Sequence, residues 1–186
     1  MKFAVRGNPN AMAHDLIDRD YIYRGKILDL SLSRFRTDKG EPSIEIVHHN
    51  GGAGALPLFE DGTLGLVRQW RYPINKYSLE IPAGRIEAGQ TPEETAAREL
   101  EEELGYRSSD LRKLCEFNVA PGYCEERLYV YLATGLIKSA QNLDENEEIE
   151  IVRMTLDEAM GLLDEGEIDD AKTVVALLRA APLLKP

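Results

Sequence analysis

Glu99, Glu102 and Glu103 are the residues in this chain whose type and spacing can do chemistry. They lie at i, i+3 and i+4, so on a helix their carboxylates share a face about 5–6 Å apart. Carboxylate oxygens are the hard ligands that magnesium and manganese select. Six acidic residues lie between Glu93 and Glu103, opposed by Arg98 alone. A solvated acidic face is the competing interpretation, because like-charged pairs at this spacing cost only about 0.2–0.5 kcal/mol each. Two features weigh toward a cation. The stretch is entered from Ile81-Pro82-Ala83-Gly84, a turn that can bring a backbone carbonyl beside the carboxylates. Arg98, one turn before Glu102, fixes that carboxylate and leaves Glu99 and Glu103 as the better ligands. No Ser-His-Asp or Cys-His arrangement offers itself, so water is the expected nucleophile. His14, His48 and His49 form no ligand set and read as strand and surface residues.

Those carboxylates need a helix to hold them. Thr91 is a good N-cap, Pro92 sits at N1 and Glu94 completes a capping box. Ala96, Ala97, Leu100 and Leu104 give the apolar stripe, and Gly105 is a natural stop in the left-handed conformation. Before it, GGAGALPLF and TLGLVRQWRY read as a hairpin around Asp61-Gly62, followed by a short strand, YSLEIP. After it come the strands KLCEFNVA and RLYVYLAT, flanking the loop from Pro121 to Glu126. An acidic loop, Asn142 to Glu148, precedes the strand IEIVRM. Thr155 opens a second capping box, and a last helix runs from about Asp170 to Ala181, where Pro182 ends it. Upstream, Tyr21 to Arg36 alternates as one extended stretch, and SIEIVHH returns after Lys39-Gly40-Glu41-Pro42. Gly7 to Asn10 marks a turn in an otherwise unreadable start. A ribbon of this kind is marginal alone and is expected to pack on something, plausibly a second subunit. Strands on both sides of a central helix, with helices closing the chain, predict a mixed sheet between helices, an α/β (α+β) fold.

The bulk properties bound the partners. A length of 186 residues is one domain with at most a small appendage. A net charge of −11 disfavours nucleic acid and anionic membrane surfaces. It also repels a phosphate ligand unless local arginines or a bound cation intervene. The start lacks a signal peptide's apolar core, and no apolar run nears membrane-spanning length. Cys115 and Cys124 make neither a disulfide framework nor a metal spacing, which points to a reducing cytoplasm.

Gly84, Arg98-Glu99-Leu100-x-Glu102-Glu103-x-Gly105-Tyr106 resembles the box of the Nudix hydrolases at the family's spacing. One position departs: Gln90 stands where the family has its first glutamate. Size and one acceptor oxygen are kept, so Gln90 is expected to bond Arg98 or loop amides, with Glu87 compensating for the lost charge. The wider pattern, Val67-Arg68-Gln69-Trp70-Arg71, Leu79 to Gly84, Ala120-Pro121-Gly122 and Leu143 to Ile149, resembles the ADP-ribose pyrophosphatase branch.

That resemblance implies an α/β/α sandwich with a mixed sheet over 51–186, and an N-terminal ribbon over 1–50 exchanged within a homodimer. It implies metal-dependent hydrolysis of a nucleoside diphosphate sugar between its phosphates, with ADP-ribose giving AMP and ribose 5-phosphate. The metal, Mg2+ or Mn2+, would be held by the Ala83 carbonyl, Glu99, Glu103 and Glu147. Glu145 would be the general base, and Arg98 and Glu102 would complete the catalytic box. Arg71 would contact phosphate. Glu80 would bind substrate or an arginine near the strand crossing. Arg24 would reach the neighbouring subunit's site, and Pro121, Gly122 and Glu126 would border the substrate. GDP-mannose or another nucleotide sugar on the same chemistry is one alternative. A silent Nudix domain acting as a nucleotide sensor is the other, and Gln90 is what favours it. The ending GEIDDAKTVVALL does not discriminate between substrates.

Overall fold

The computed structural model describes residues 14–143 and 148–184. The turn expected at Gly7 to Asn10, and Glu145 and Glu147, lie outside them.

Two compact units emerge, one holding the described residues up to His49 with Ala120–Glu125, the other Asn50–Val119 with the remainder after Glu126. The first unit is a three-stranded antiparallel sheet of β1 (Asp15–Arg24), β2 (Asp29–Arg36) and β3 (Ser43–His48), in the order β1-β2-β3. The stretch expected to be one strand from Tyr21 is therefore two. Gly25 N–H donates to the Leu28 carbonyl and to Asp29 Oδ1, closing a turn whose Arg-Gly-Lys-Ile sequence carries little turn signal. Ala120–Glu125 joins this unit through backbone bonds: Val47 N–H donates to the Tyr123 carbonyl at 2.8 Å, and Glu125 N–H to the Val47 carbonyl at 3.0 Å.

The second unit contains two sheets between helices, the layered arrangement expected of the α/β class. One has the order β10-β5-β6 and is antiparallel throughout; it pairs β5 (Leu64–Arg71) with β6 (Lys76–Glu80) and β10 (Ile149–Met154). The other is mixed, in the order β7-β4-β9-β8. In it β4 (Gly52–Pro57) runs parallel to β9 (Arg127–Lys138) and antiparallel to β7 (Ala83–Arg85), while β8 (Tyr106–Asn118) flanks β9. The hairpin expected of β4 and β5 is thus corrected. Its turn exists, with Phe59 N–H bonded to the Thr63 carbonyl and Gly62 at φ +82, but the strands diverge into different sheets. β4 is buried along its whole length and finds both its partners elsewhere.

The helix that leads into the glutamate run, α1 (Pro92–Glu99), has the expected capping box at Thr91. Beyond Glu99 it opens into a π-helical turn, Leu100–Leu104, ended by Gly105 at φ +76. Ala96, Leu100 and Leu104 bury themselves with Ala53, Val67 and Tyr131 in one core. A second core forms where α2 (Leu156–Asp164) and α3 (Ala171–Leu184) contribute Ala159, Ala176, Leu177 and Ala180 against Leu56, Leu66 and Ile81. α3 runs past Pro182 to Leu184, against expectation. The proline has no N–H to give the Leu178 carbonyl one turn back, and Leu178 lies exposed near the end of the chain.

Candidate active site

The turn at Pro82–Gly84 meets the π turn end on. Ala83 N–H donates to Glu103 Oε2 at 3.1 Å. Gly84 lies so close to Glu99 that a Cβ there would stand 1.8 Å from Glu99 Oε1, so only glycine admits that carboxylate. Both glutamates are buried, Glu103 to 4% and Glu99 to 9% exposure, which is costly for carboxylates without compensation. Arg98 supplies much of it. Its guanidinium reaches Glu99 Oε1 at 2.7 Å as well as Glu102 Oε2 at 2.5 Å. Arg98 reaches Glu102 as expected, and it grips Glu99 as well.

Gln90 does not bond Arg98. Its Oε1 accepts from Thr95 Oγ1 at 3.1 Å, and Arg98 Nε is buried without a partner. Glu87 gives Gln90 N–H only its backbone carbonyl, and its side chain is exposed.

The carbonyl end of the π turn is fastened to the chain leaving β9. Asn142 N–H donates to the Glu102 carbonyl and Gln141 Nε2 to the Glu103 carbonyl, at 3.0 and 2.7 Å. Ser139 N–H donates to the Gly105 carbonyl. The stretch leading into residues 144–147 is therefore anchored beside Glu102 and Glu103.

Across from them, β5 and β6 build a charged knot. Arg71 Nε and Nη2 donate to the two oxygens of Glu80 at 2.7 and 2.6 Å. Lys172, on α3, also donates to Glu80 Oε2 and bonds Asp170 Oδ1 at 2.9 Å. Glu80 is 2% exposed. Burial alone would raise its pKa, but the Arg71 hydrogen bonds and the Lys172 charge overcome that and hold it at about 2. Of the roles open to Glu80, pairing with an arginine is the one seen. Glu103 and Asp170 add to the field on Arg71, whose own pKa is raised, chiefly by the Glu80 bonds. Gln69, on the same face of β5 as Arg71, has a buried Nε2 without a partner. Lys172 and Gln69 were missed in the sequence; an Asp-x-Lys-Thr opening a helix was the available signal for the first.

Arg24 ends β1, exposed, with its guanidinium 4.0 Å over the Tyr21 ring. Pro121 and Gly122 are exposed in a turn closed by Tyr123 and Cys124 N–H groups on the Ala120 carbonyl. Glu126 is half-buried, and its carbonyl accepts from Val119 N–H. Trp70 packs edge-on to Tyr77. The ribbon unit also holds a Ser-His-Glu connectivity that the sequence did not disclose. Ser31 Oγ lies 2.8 Å from His48 Nε2, and His48 Nδ1 lies 2.7 Å from Glu125 Oε2. Ser31 has no exposure and shares its hydroxyl with Ser33, so the chain fastens the Ala120–Glu125 loop and has no access for an acyl substrate.

Residues 48–177 match the model of the NUDIX domain, which is most of the chain. The chain belongs to the Nudix family. It is 38% identical over 164 residues to the ADP-ribose pyrophosphatase of Bacillus subtilis, covering 87% of this chain and 89% of that one. It is 37% identical, over the same shares, to the methanol dehydrogenase activator of Bacillus methanolicus. The crystal structure of an ADP compounds hydrolase superposes with a TM-score of 0.84 over 95% of this chain and 97% of that one, at 24% identity, a likeness of fold.

The donor set fits the family's divalent cation. Glu99 and Glu103 offer hard oxygens within one turn, beside a glycine that leaves room for nothing larger. Among the described residues no three acidic, histidine or cysteine side chains converge on one point.

Proposed function

We propose that this protein hydrolyses the diphosphate bond of a nucleoside diphosphate sugar, ADP-ribose first, releasing AMP and ribose 5-phosphate with Mg2+ or Mn2+. The observation that carries it is the meeting of two buried glutamates, Glu99 and Glu103, with the Ala83–Gly84 turn. The name of the Bacillus subtilis relative supports the substrate. Glu99, Glu103, the Ala83 carbonyl and Glu147 would hold the cation, which when bound would neutralise the diphosphate and acidify water. Glu145 takes the proton from the attacking water, and the anchoring of Ser139 to Asn142 on the π turn supports bringing that loop to the site. Arg98 orients Glu99 and Glu102, and Arg71 presents a guanidinium edge to phosphate. Glu126 borders the substrate.

The enzyme is a homodimer in this proposal. Leu16, Ile22, Tyr23, Ile27 and Ile44 are exposed on the ribbon unit, an apolar area that a second copy would cover, with Arg24 reaching the partner's site. The thiols of Cys115 and Cys124 suit the reducing cytoplasm. The test is product release from ADP-ribose, GDP-mannose and UDP-glucose, with magnesium, manganese or EDTA. Fast, metal-dependent AMP release is expected, and a GDP-mannose rate far above the ADP-ribose rate would reject the substrate. The activator name of the Bacillus methanolicus relative favours one second reading, a nucleotide-responsive regulator. Tight nucleotide binding with no product under any divalent ion would establish it instead.

A further inference from the structure

The helix α3 opens with Asp170, Lys172 and Thr173, and each is tied to the strand that leads into the site. Asp170 Oδ2 accepts from Thr173 N–H at 3.0 Å and from Thr173 Oγ1 at 2.6 Å, an N-cap. Thr173 Oγ1 in turn accepts from Ile81 N–H at 2.8 Å, with Thr173 fully buried. One residue before Ile81, Glu80 receives Lys172 and Arg71 together.

The charges explain what Lys172 does there. Arg71 and Glu80 alone would be a neutral, closed pair. A buried carboxylate with a single cationic partner holds that partner tightly and cancels its field. With Lys172, 12% exposed, on the same oxygen, the carboxylate is shared between two cations. Asp170 offsets Lys172 only in part, since its other oxygen is taken by the helix N-terminus. Arg71 Nη1 makes no hydrogen bond among the described residues, and Arg71 lines a cleft of about 360 Å³ together with Ser78, Glu80, Asp169, Asp170 and Lys172. We propose that Lys172 is a positioning residue that acts through Glu80, sharing its carboxylate so that Arg71 is oriented but keeps net positive charge for the substrate's phosphate. This rests on the diphosphatase reading.

The test is a double-mutant cycle in the full-length protein, with KM and kcat for ADP-ribose and magnesium. Lys172→Met raises KM about tenfold, the scale of one charge-assisted hydrogen bond, and leaves kcat within about threefold. Lys172→Arg restores KM to within about threefold of wild type. In the Glu80→Gln background, Lys172→Met changes KM less than about twofold, because its target is already neutral. An equal KM increase in both backgrounds means that Lys172 touches substrate itself, and overturns the proposal. So does a KM that Lys172→Met leaves unchanged.

Should the wild type release no product, the diphosphatase reading fails, and the positioning claim is judged by NMR. The Arg71 Nε–H exchanges at least about tenfold more slowly in Lys172→Met than in wild type, because Glu80 then holds Arg71 alone, and the same change makes no difference when added to Glu80→Gln. Unaltered exchange in Lys172→Met overturns the claim. If Lys172→Met does not fold, Lys172→Gln carries the same expectations. Loss of native circular dichroism in both shows a structural role and overturns it.

Discussion

Glu80→Gln tests the charged knot through stability. Glu80 has a pKa of about 2 in the folded protein against 4.5 for an unperturbed glutamate. The difference of about 2.5, at about 1.36 kcal/mol per pKa unit, is about 3.4 kcal/mol of preference for the ionised form on folding. The side chain is 3% exposed, so solvent screening removes little of it. The folded pKa is depressed, so this stabilisation is complete above pH 4.5 and is lost as pH falls toward 2. At pH 5 nearly all remains, and at pH 3 about 2 kcal/mol has gone. Arg71, Lys172 and Asp170 are common to both proteins. Urea unfolding of wild type and Glu80→Gln at pH 7, 5 and 3 therefore gives a stability gap that is flat from pH 7 to 5. It then narrows by about 2 kcal/mol by pH 3. A gap that stays constant to pH 3, or widens, refutes the argument that Arg71 and Lys172 hold Glu80 ionised.

Three further outcomes follow from the geometry around the glutamates. Glu103→Gln lowers kcat by about two to three orders of magnitude. Its unfolding midpoint changes little, since the amide oxygen still accepts from Ala83 N–H; retained activity in a steady-state assay would remove Glu103 from the metal set. Gly84→Ala folds, because the carboxylate that it strikes ends a flexible side chain, but it displaces Glu99. Turnover should then fall at least about tenfold, with a stability loss below about 1.5 kcal/mol by urea titration. Gln90→Glu leaves turnover equal or up to about threefold higher, since Thr95 Oγ1 keeps its acceptor. A large fall in that assay would give Gln90 a role of its own.

The legible parts of the sequence were those decided within a few residues. Thr91 and Thr155 each cap a helix with a glutamate three positions on, and both boxes form as written. IEIVRM, bounded by an acidic loop and a cap, is β10 residue for residue. What stayed hidden depends on distant partners. Whether β4 follows β5 into a hairpin is settled by β9, more than 70 residues downstream, and by the burial of both faces. Lys172 and Glu80 are 92 positions apart, as are Thr173 and Ile81, and no local pattern joins them. The acidic cluster was visible as composition, yet Arg98's double grip depends on how the helix widens after Glu99. A π turn has no strong propensity signature, and such turns are frequent at functional sites because they re-aim side chains at a local cost in packing.

The formal charges around the site explain why an acidic chain can handle a diphosphate. Glu80, Glu99, Glu102, Glu103 and Asp170 count five negative charges, and Arg71, Arg98 and Lys172 count three positive ones, leaving −2. Arg98 meets Glu99 and Glu102, Arg71 and Lys172 share Glu80, and Lys172 also meets Asp170, while Glu103 meets a backbone amide. A site at −2 inside a chain at −11 repels a diphosphate, and no rearrangement of its own arginines reverses that sign. One divalent cation brings the cluster to neutrality, and a second makes it attractive. Removing an arginine should therefore weaken substrate binding, whereas removing Glu103 should weaken the cation first and the substrate only through it. Metal titrations of Glu103→Gln and Arg71→Ala separate the two: the activating magnesium concentration shifts in the first, and KM at saturating magnesium shifts in the second.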